Sequence, residues 1–376
     1  MQTLPPITYL SVDPVSEGIG LSQVVRYVER LGRRGLDVTL HSFEQGAPSP
    51  AVAQRLRAAG VRWRPHRFGM VGAAGGMVRV AHAASLVARA DLVHARSDLA
   101  AAASLLAQRR RWVWDLRALW REQRIAAGMM REGSAPERLM RSVEAASARS
   151  CTSIVTLSHS VVEVLAERYG PEVAGKANVI TTCVDLDLFA LAPLPPLPPV
   201  RLLLSGTVNK LYDVPSMLKL LDRLSTLVPT ELTVLAPGPT PWEASLATAG
   251  AVRTWAQPEA MPSWVKDHHV GLSVLRDVGV SNRAAVPTKL GEFLACGRPV
   301  VVNPGVGDID ALLAANDCGV VLQDDTEAAL EAAAHELLRL LGDPETPARC
   351  RALATRHFDL ERGVDELVEV YAQAAT

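Results

Sequence analysis

Two successive trains of short apolar runs, alternating with segments of helical period, constrain this chain more than any other feature. In the first train the runs at 7–12, 36–43, 91–94, 112–114 and 153–157 read as strands, and 21–32 has helical spacing that stops at Gly35. The pattern restarts after residue 200. Strands are expected at 201–204, 231–236, 271–275, 299–303 and 319–322, and helices at 214–227, 288–296, 326–341 and 360–374. Strands that are apolar on both faces need cover on both faces, which parallel sheets flanked by helices provide. The fold class expected is therefore α/β, in two domains. Between the trains, 190–200 reads ALAPLPPLPPV, a proline density that makes a stiff extended connector. The expected domains are 1–190, a connector at 191–200, 201–356, and a last helical segment at 357–376.

The composition fits two ordinary cores. The chain has 376 residues, 48% hydrophobic and 21% charged. Cys151, Cys183, Cys296, Cys318 and Cys350 are odd in number, widely spaced and form no C-x-x-C pair, which fits free thiols in a reducing compartment. Residues 1–13 lack the basic and apolar regions of a signal peptide. No apolar stretch reaches the roughly 18 residues a bilayer span needs. The nearest approach, 70–90, is broken by Arg79, His82 and Arg89 and reads as a helix in or near a surface. A cytoplasmic location follows as the expectation.

The net charge of −1 hides a basic first half and an acidic second half. A basic half suits an anionic acceptor or a membrane surface, and equally suits scattered solvated arginines. The stretch 131–149, with Arg131, Arg138 and Arg141 near Met129, Met130, Leu139 and Met140, reads either as a peripheral contact with anionic lipid or as a core-facing amphipathic helix. Basic runs beyond Arg109–Arg111 are lacking and aromatics are few, so nucleic acid is not an expected partner.

The segment with the most chemistry is 286–302, VPTKLGEFLACGRPVVV. Thr288 is placed to cap a helix beginning at Lys289. Free N–H groups of the first turn, the helix dipole, Lys289 and Arg283 together make an anion site suited to a diphosphate. Glu292, three residues after Lys289, faces the same way and can accept two hydrogen bonds from a ribose diol. In the first half, Glu17-Gly18-Ile19-Gly20 follows a strand and precedes a helix. Gln23 fills the third glycine position of a dinucleotide fingerprint, so the reading is a flexible turn approaching phosphates. Asp115 stands at a strand's carboxyl end, with Arg117, Glu122 and Arg124 following. This loop reads as a holder of an acceptor carboxylate or diphosphate, or as a solvated ion-pair network. His94 reads as a sugar contact or as a hydrogen-bonded structural histidine. The pairs Asp185/Asp187 and Asp308/Asp310 read as turn and helix caps, with a divalent cation the rival; no metal is expected.

Taken together, His94-Ala95-Arg96-Ser97, the run from Asp115-Leu116-Arg117 to Arg124, Ile180-Thr181-Thr182-Cys183-Val184-Asp185, Gly206-Thr207, residues 287–299 and Gly305-Val306-Gly307-Asp308 resemble glycosyltransferases of the GT-B fold, family four in particular. The resemblance runs from about residue 7 to the last helix. It implies two Rossmann-like domains facing a central cleft, an acceptor domain first and a nucleotide-sugar domain second, with the C-terminal helix returning to the first. It implies transfer of a sugar from a nucleotide-diphosphate co-substrate, with retention and with neither metal nor cofactor. The acceptor would be a glycan, a lipid-linked molecule or a small metabolite, with peripheral association on the cytoplasmic face of a membrane. Arg283, Lys289 and Glu292 match the donor-binding positions, Gly206 and Thr207 lie near the diphosphate, and Gly18 and Gly20 belong to the loop approaching it. Asp115 and His94 fall near the reacting carbon, and Arg96, Arg117, Glu122 and Arg124 on the acceptor side. Two departures stand out. Thr207 replaces an arginine, with Lys210 only loosely supplying the family's nearby lysine, and Ala284 replaces the first glutamate of an E-x7-E pair. A nucleotide-sugar epimerase and a non-catalytic sugar-nucleotide-binding protein of the same fold stay open.

Overall fold

The computed structural model describes residues 4–70 and 72–376. Residues 1–3, within the stretch read as lacking a leader, and Val71, within 70–90, lie outside the described residues. The chain forms two compact units, one running to Thr181 and adding Leu360–Thr376, the other Thr182–Asp359.

Among the described residues the first unit holds seven strands: β1 (Ile7–Ser11), β2 (Val38–Glu44), β3 (Arg62–Arg67), β4 (Leu92–Arg96), β5 (Trp112–Leu116), β6 (Ser153–Thr156) and β7 (Ala177–Val179). Their order is β3-β2-β1-β4-β5-β6-β7, and every pairing is parallel. The second unit holds β8 (Val200–Ser205), β9 (Thr230–Leu235), β10 (Val252–Thr254), β11 (Val270–Ser273), β12 (Val300–Val302) and β13 (Gly319–Val321), in the order β10-β9-β8-β11-β12-β13 and again parallel. This is the two-domain α/β architecture expected.

The central strands are those the apolar runs mark. Val200, Leu202 and Leu204 of β8 are buried with Leu220 and Leu224 of the Val214–Ser225 helix on one side of a shared core. Three strands lack such a run: β3 (RWRPHR), β7 (ANV) and β10 (VRT). All three are sheet edges. An edge strand leaves one flank to solvent, so it tolerates charge and, in β3, Pro65.

Local chemistry sets the helix starts. Ser134, Ser158 and Thr326 each accept a hydrogen bond from the backbone N–H three residues on. The proline-rich stretch belongs to the second unit. Arg298, fully buried, fastens it there by donating to the carbonyls of Ala192 (2.8 Å) and Pro193 (2.7 Å). Proline carbonyls keep their acceptor capacity although the ring removes the N–H. Among the described residues no helix is long and apolar enough to cross a membrane. The 70–90 stretch folds as the helix Gly72–Val87, with Met77 and Val78 exposed.

Candidate functional site

In the second unit β8 ends at Ser205 and the chain turns at Gly206, whose φ of 101° only glycine adopts cheaply. A Cβ at Gly206 would meet Lys289 Nζ at 3.6 Å and Cε at 3.9 Å, so this backbone faces the ammonium. Lys289 lies in the helix Thr288–Ala295 and is only 8% exposed. A buried ammonium needs partners. Lys289 Nζ donates to the Ser205 carbonyl and to the Tyr212 hydroxyl (2.9 Å), and sits 4.4 Å from the Tyr212 ring centroid.

The helix start departs from expectation. The capping position is Pro287, the helix already includes Thr288, and no side chain caps it. Proline pre-sets the extended entry but supplies no side-chain acceptor, so no side-chain cap competes with an anion at the first turn. Arg283 lies in the short 3-10 helix Gly279–Ala284, half-buried, and Glu292 is half-buried one turn beyond Lys289. Ala284, where the family's first glutamate would stand, is buried. Thr207 and Lys210 are exposed beside the turn. The two D-x-D strings serve locally. Asp185 Oδ1 accepts from the N–H groups of Asp187 and Leu188 (3.2 Å each), and Asp310 accepts from Gly305 (3.1 Å) and Ala311 (2.8 Å). Asp308 occupies the cap position of Ile309–Asn316 without a side-chain capping bond.

In the first unit, Gly18 and Gly20 are not in a flexible loop. They form the first turn of a helix over 18–33 whose residues Leu21–Val25 are π-helical. A Cβ on Gly20 would lie 2.3 Å from the Pro14 carbonyl oxygen, so close backbone packing demands glycine there.

His94 and Asp115, read as groups near the reacting carbon, are both wholly buried within the first unit. The pairings Tyr9↔His94 and Arg96↔Asp115 set β1, β4 and β5 side by side. His94 Nε2 lies 3.1 Å from Asp115 Oδ2, the Tyr371 hydroxyl 3.0 Å from His94 Nδ1, and Tyr9 stacks on the imidazole at 4.0 Å. Arg117 Nε is 2.6 Å from Asp115 Oδ1. Burial opposes ionisation of Asp115, but the Arg117 guanidinium and the bond from His94 hold its carboxyl below the usual carboxylate range. Burial lowers the His94 pKa against the pull of Asp115, so the imidazole is neutral. The consistent tautomer has Nε2–H donating to Asp115 and Nδ1 accepting from Tyr371. Arg117, whose Nη1 has no hydrogen-bond partner, and half-buried Arg96 flank this carboxylate.

Glu122 and Arg124 go elsewhere. Glu122 accepts from Arg168 (2.6 Å) and pairs with Arg121, which also reaches Glu137 (2.8 Å); Arg124 lies 5.0 Å over the Trp120 ring. The expected acceptor set is thus split into two clusters, because Arg117 and Glu122 each have a nearer opposite charge. Near the second cluster Asp98 is half-buried, with its Oδ1 shut away from solvent. Burial, then repulsion from Glu144 and Glu122, pushes its carboxyl up to about 8. The folded state therefore holds this proton from about pH 4 to about pH 8 while the unfolded chain releases it, so stability falls as pH rises through that window. Asp98→Asn is expected to melt higher than the parent by a margin that widens from pH 5 to pH 8 and then levels. Parallel melting curves across that range would contradict the assignment.

Sequence reasoning missed Tyr212 and Tyr371. Tyr212 meets Lys289 across 77 residues and Tyr371 meets His94 across 277, separations no local spacing rule reaches.

The sequence matches a family described as Glycosyltransferase Family 4 over residues 22–188 and one described as Glycosyl transferase-like over residues 217–366. Among curated proteins none matches. Three solved structures are similar along nearly the whole chain. Sucrose-phosphate synthase from Thermosynechococcus elongatus has a TM-score of 0.71 at 15% identity, covering 98% of this chain and 98% of its own. HepE from Anabaena, in complex with UDP and glucose, has 0.69 at 14%, covering 98% and 99%. WaaG, a glycosyltransferase involved in lipopolysaccharide biosynthesis, has 0.69 at 15%, covering 96% and 98%. At such identities the likeness is one of fold.

Proposed function

Because the chain belongs to the glycosyltransferases of the GT-B fold, we propose that it transfers a sugar from a nucleoside-diphosphate sugar bound by its second unit to an acceptor bound by its first. The carrying observation is Lys289, a buried ammonium held against the Gly206 backbone at a helix start with no side-chain cap. As the glycosidic bond breaks, positive charge grows at the anomeric carbon and negative charge on the departing diphosphate. Preorganised donors aimed at that charge lower the barrier most. Lys289, Arg283 and the helix N-terminus supply them, and Glu292 holds the ribose diol. In the retaining reading the acceptor attacks from the face the diphosphate leaves, and a diphosphate oxygen takes its proton. Asp115 and His94 act through Arg117 rather than by contact, with Arg117 and Arg96 presenting positive charge to an anionic part of donor or acceptor. HepE's complex with UDP and glucose makes UDP-sugars the first donors to test.

Turnover is expected to survive EDTA, because cationic side chains take the part of a metal at the diphosphate. The test is thermal shift with UDP, GDP and ADP, followed by product formation from the matching donor with and without chelator. Absence of any nucleotide shift would sink the donor reading. Activity lost to EDTA and restored by magnesium or manganese would sink the metal-free one.

A lipid-linked acceptor is the class the surface favours. Met129 (60% exposed) and Leu139 (61%) stand beside exposed Arg131 and Arg138, at and before the start of the helix Ala135–Ser150. Exposed apolar side chains in a stretch that also exposes arginine suit an anionic bilayer interface. Co-sedimentation with anionic vesicles is expected at low salt and reduced at moderate salt. No binding at either salt would remove the membrane contact.

A further inference from the structure

The family's arginine after the β8 glycine is replaced here by Thr207, which leaves the diphosphate short of one donor on that side. The structure offers a substitute. Tyr212 lies in the same β8 loop, half-buried, and is held in place by an isolated bridge to Leu275. Its ring lies 4.4 Å from the Lys289 ammonium and its hydroxyl accepts from Nζ at 2.9 Å. A phenol that accepts one hydrogen bond still has its own O–H to give. No described hydrogen bond uses that O–H. Accepting from a cation polarises the phenol and strengthens it as a donor. Nζ has three hydrogens, of which the Ser205 carbonyl and Tyr212 take two, so one N–H remains, and the Gly206 backbone bounds the space beside it.

We propose that Tyr212 is a phosphate-binding residue: it fixes the direction of the Lys289 ammonium and donates its own O–H to an oxygen of the donor's diphosphate, in place of the absent arginine. The proposal rests on the donor reading above. It explains why a half-exposed tyrosine is spent on a lysine that already has a backbone carbonyl. It also supplies a second donor that is neutral, without placing two cations in contact.

Tyr212→Phe keeps the ring beneath the ammonium and deletes only the hydroxyl. Calorimetry would use UDP, GDP and ADP, each with its nucleoside as the phosphate-free control, on the parent, Tyr212→Phe, Lys289→Met and the double variant. The expected result is a roughly tenfold weaker diphosphate with nucleoside affinity unchanged. In the Lys289→Met background the loss should shrink, because the two groups act as a unit. Lys289→Met weakening the diphosphate while Tyr212→Phe does not would overturn the Tyr212 assignment and leave the donor site standing. Equal losses of nucleoside and diphosphate would assign the tyrosine to loop structure and overturn it as well. A parent that binds none of the three diphosphates would overturn both the donor site and this residue's role in it.

Discussion

Glu292→Gln will weaken binding of the nucleoside diphosphate about ten- to hundredfold while leaving the melting temperature close to the parent's. Glutamine keeps the side-chain length and one acceptor oxygen but loses the charge that makes hydrogen bonds to a diol strong. Charge-assisted bonds contribute about 1.5–3 kcal/mol each, and losing part of two corresponds to that range of affinity. Glu292 is half-buried on the helix Thr288–Ala295, so the isosteric change leaves no cavity. Lys289→Met should behave differently. It retains an apolar stem in the buried slot and removes the ammonium, so it should weaken the diphosphate and spare the bare nucleoside, whereas Glu292→Gln weakens both. Calorimetry with the two ligands separates the roles. A Glu292→Gln protein that binds the diphosphate as tightly as the parent would mean that the donor site is misplaced.

Asp115→Ala will cost about 3–5 kcal/mol of stability, the usual consequence of removing one partner of a buried ion pair. That is a large share of what holds a typical domain together. The reason is the Arg117 guanidinium, 11% exposed, which the substitution leaves without its carboxylate, while the His94 Nε2–H loses its acceptor. Tyr371→Phe removes a single neutral bond to His94 and should cost only about 0.5–1.5 kcal/mol. The double change Asp115→Leu with Arg117→Met should recover much of the stability and still lack activity, since apolar pairs replace buried ion pairs at little cost. Denaturant unfolding checks all three. Asp115→Ala melting like the parent but inactive would restore this carboxylate to direct chemistry.

The helix proposed to bind the donor was legible because its parts are local. Pro287, Lys289, Glu292 and Gly297 lie within a few helical turns and a strand start, where spacing along the chain is spacing in space. The capping reading of Thr288 failed by one residue, because proline at the cap position directs the chain into the helix without any side-chain bond. The first unit was harder to read. His94 reads from sequence as a sugar contact or a structural histidine, and Asp115 with Arg117 as an acceptor holder or a solvated network, since alternation within β4 and β5 does not say what covers the strand ends. The helix Leu360–Ala375 brings Tyr371 onto His94, and Glu122 turns to Arg168.

What the sequence alone determined is the class of architecture and the place of the helix that carries Lys289 and Glu292. Apolar runs buried on both faces require parallel sheets with helical cover, and helical period with a proline at the entry places the helix start. What only the tertiary structure decided is which charged groups remain available to a ligand. Pairing strength depends on distance and burial, and both come from contacts between residues tens to hundreds of positions apart. Glu122 is therefore held by Arg168, His94 by Tyr371, and Lys289 gains a tyrosine that no spacing along the chain announces.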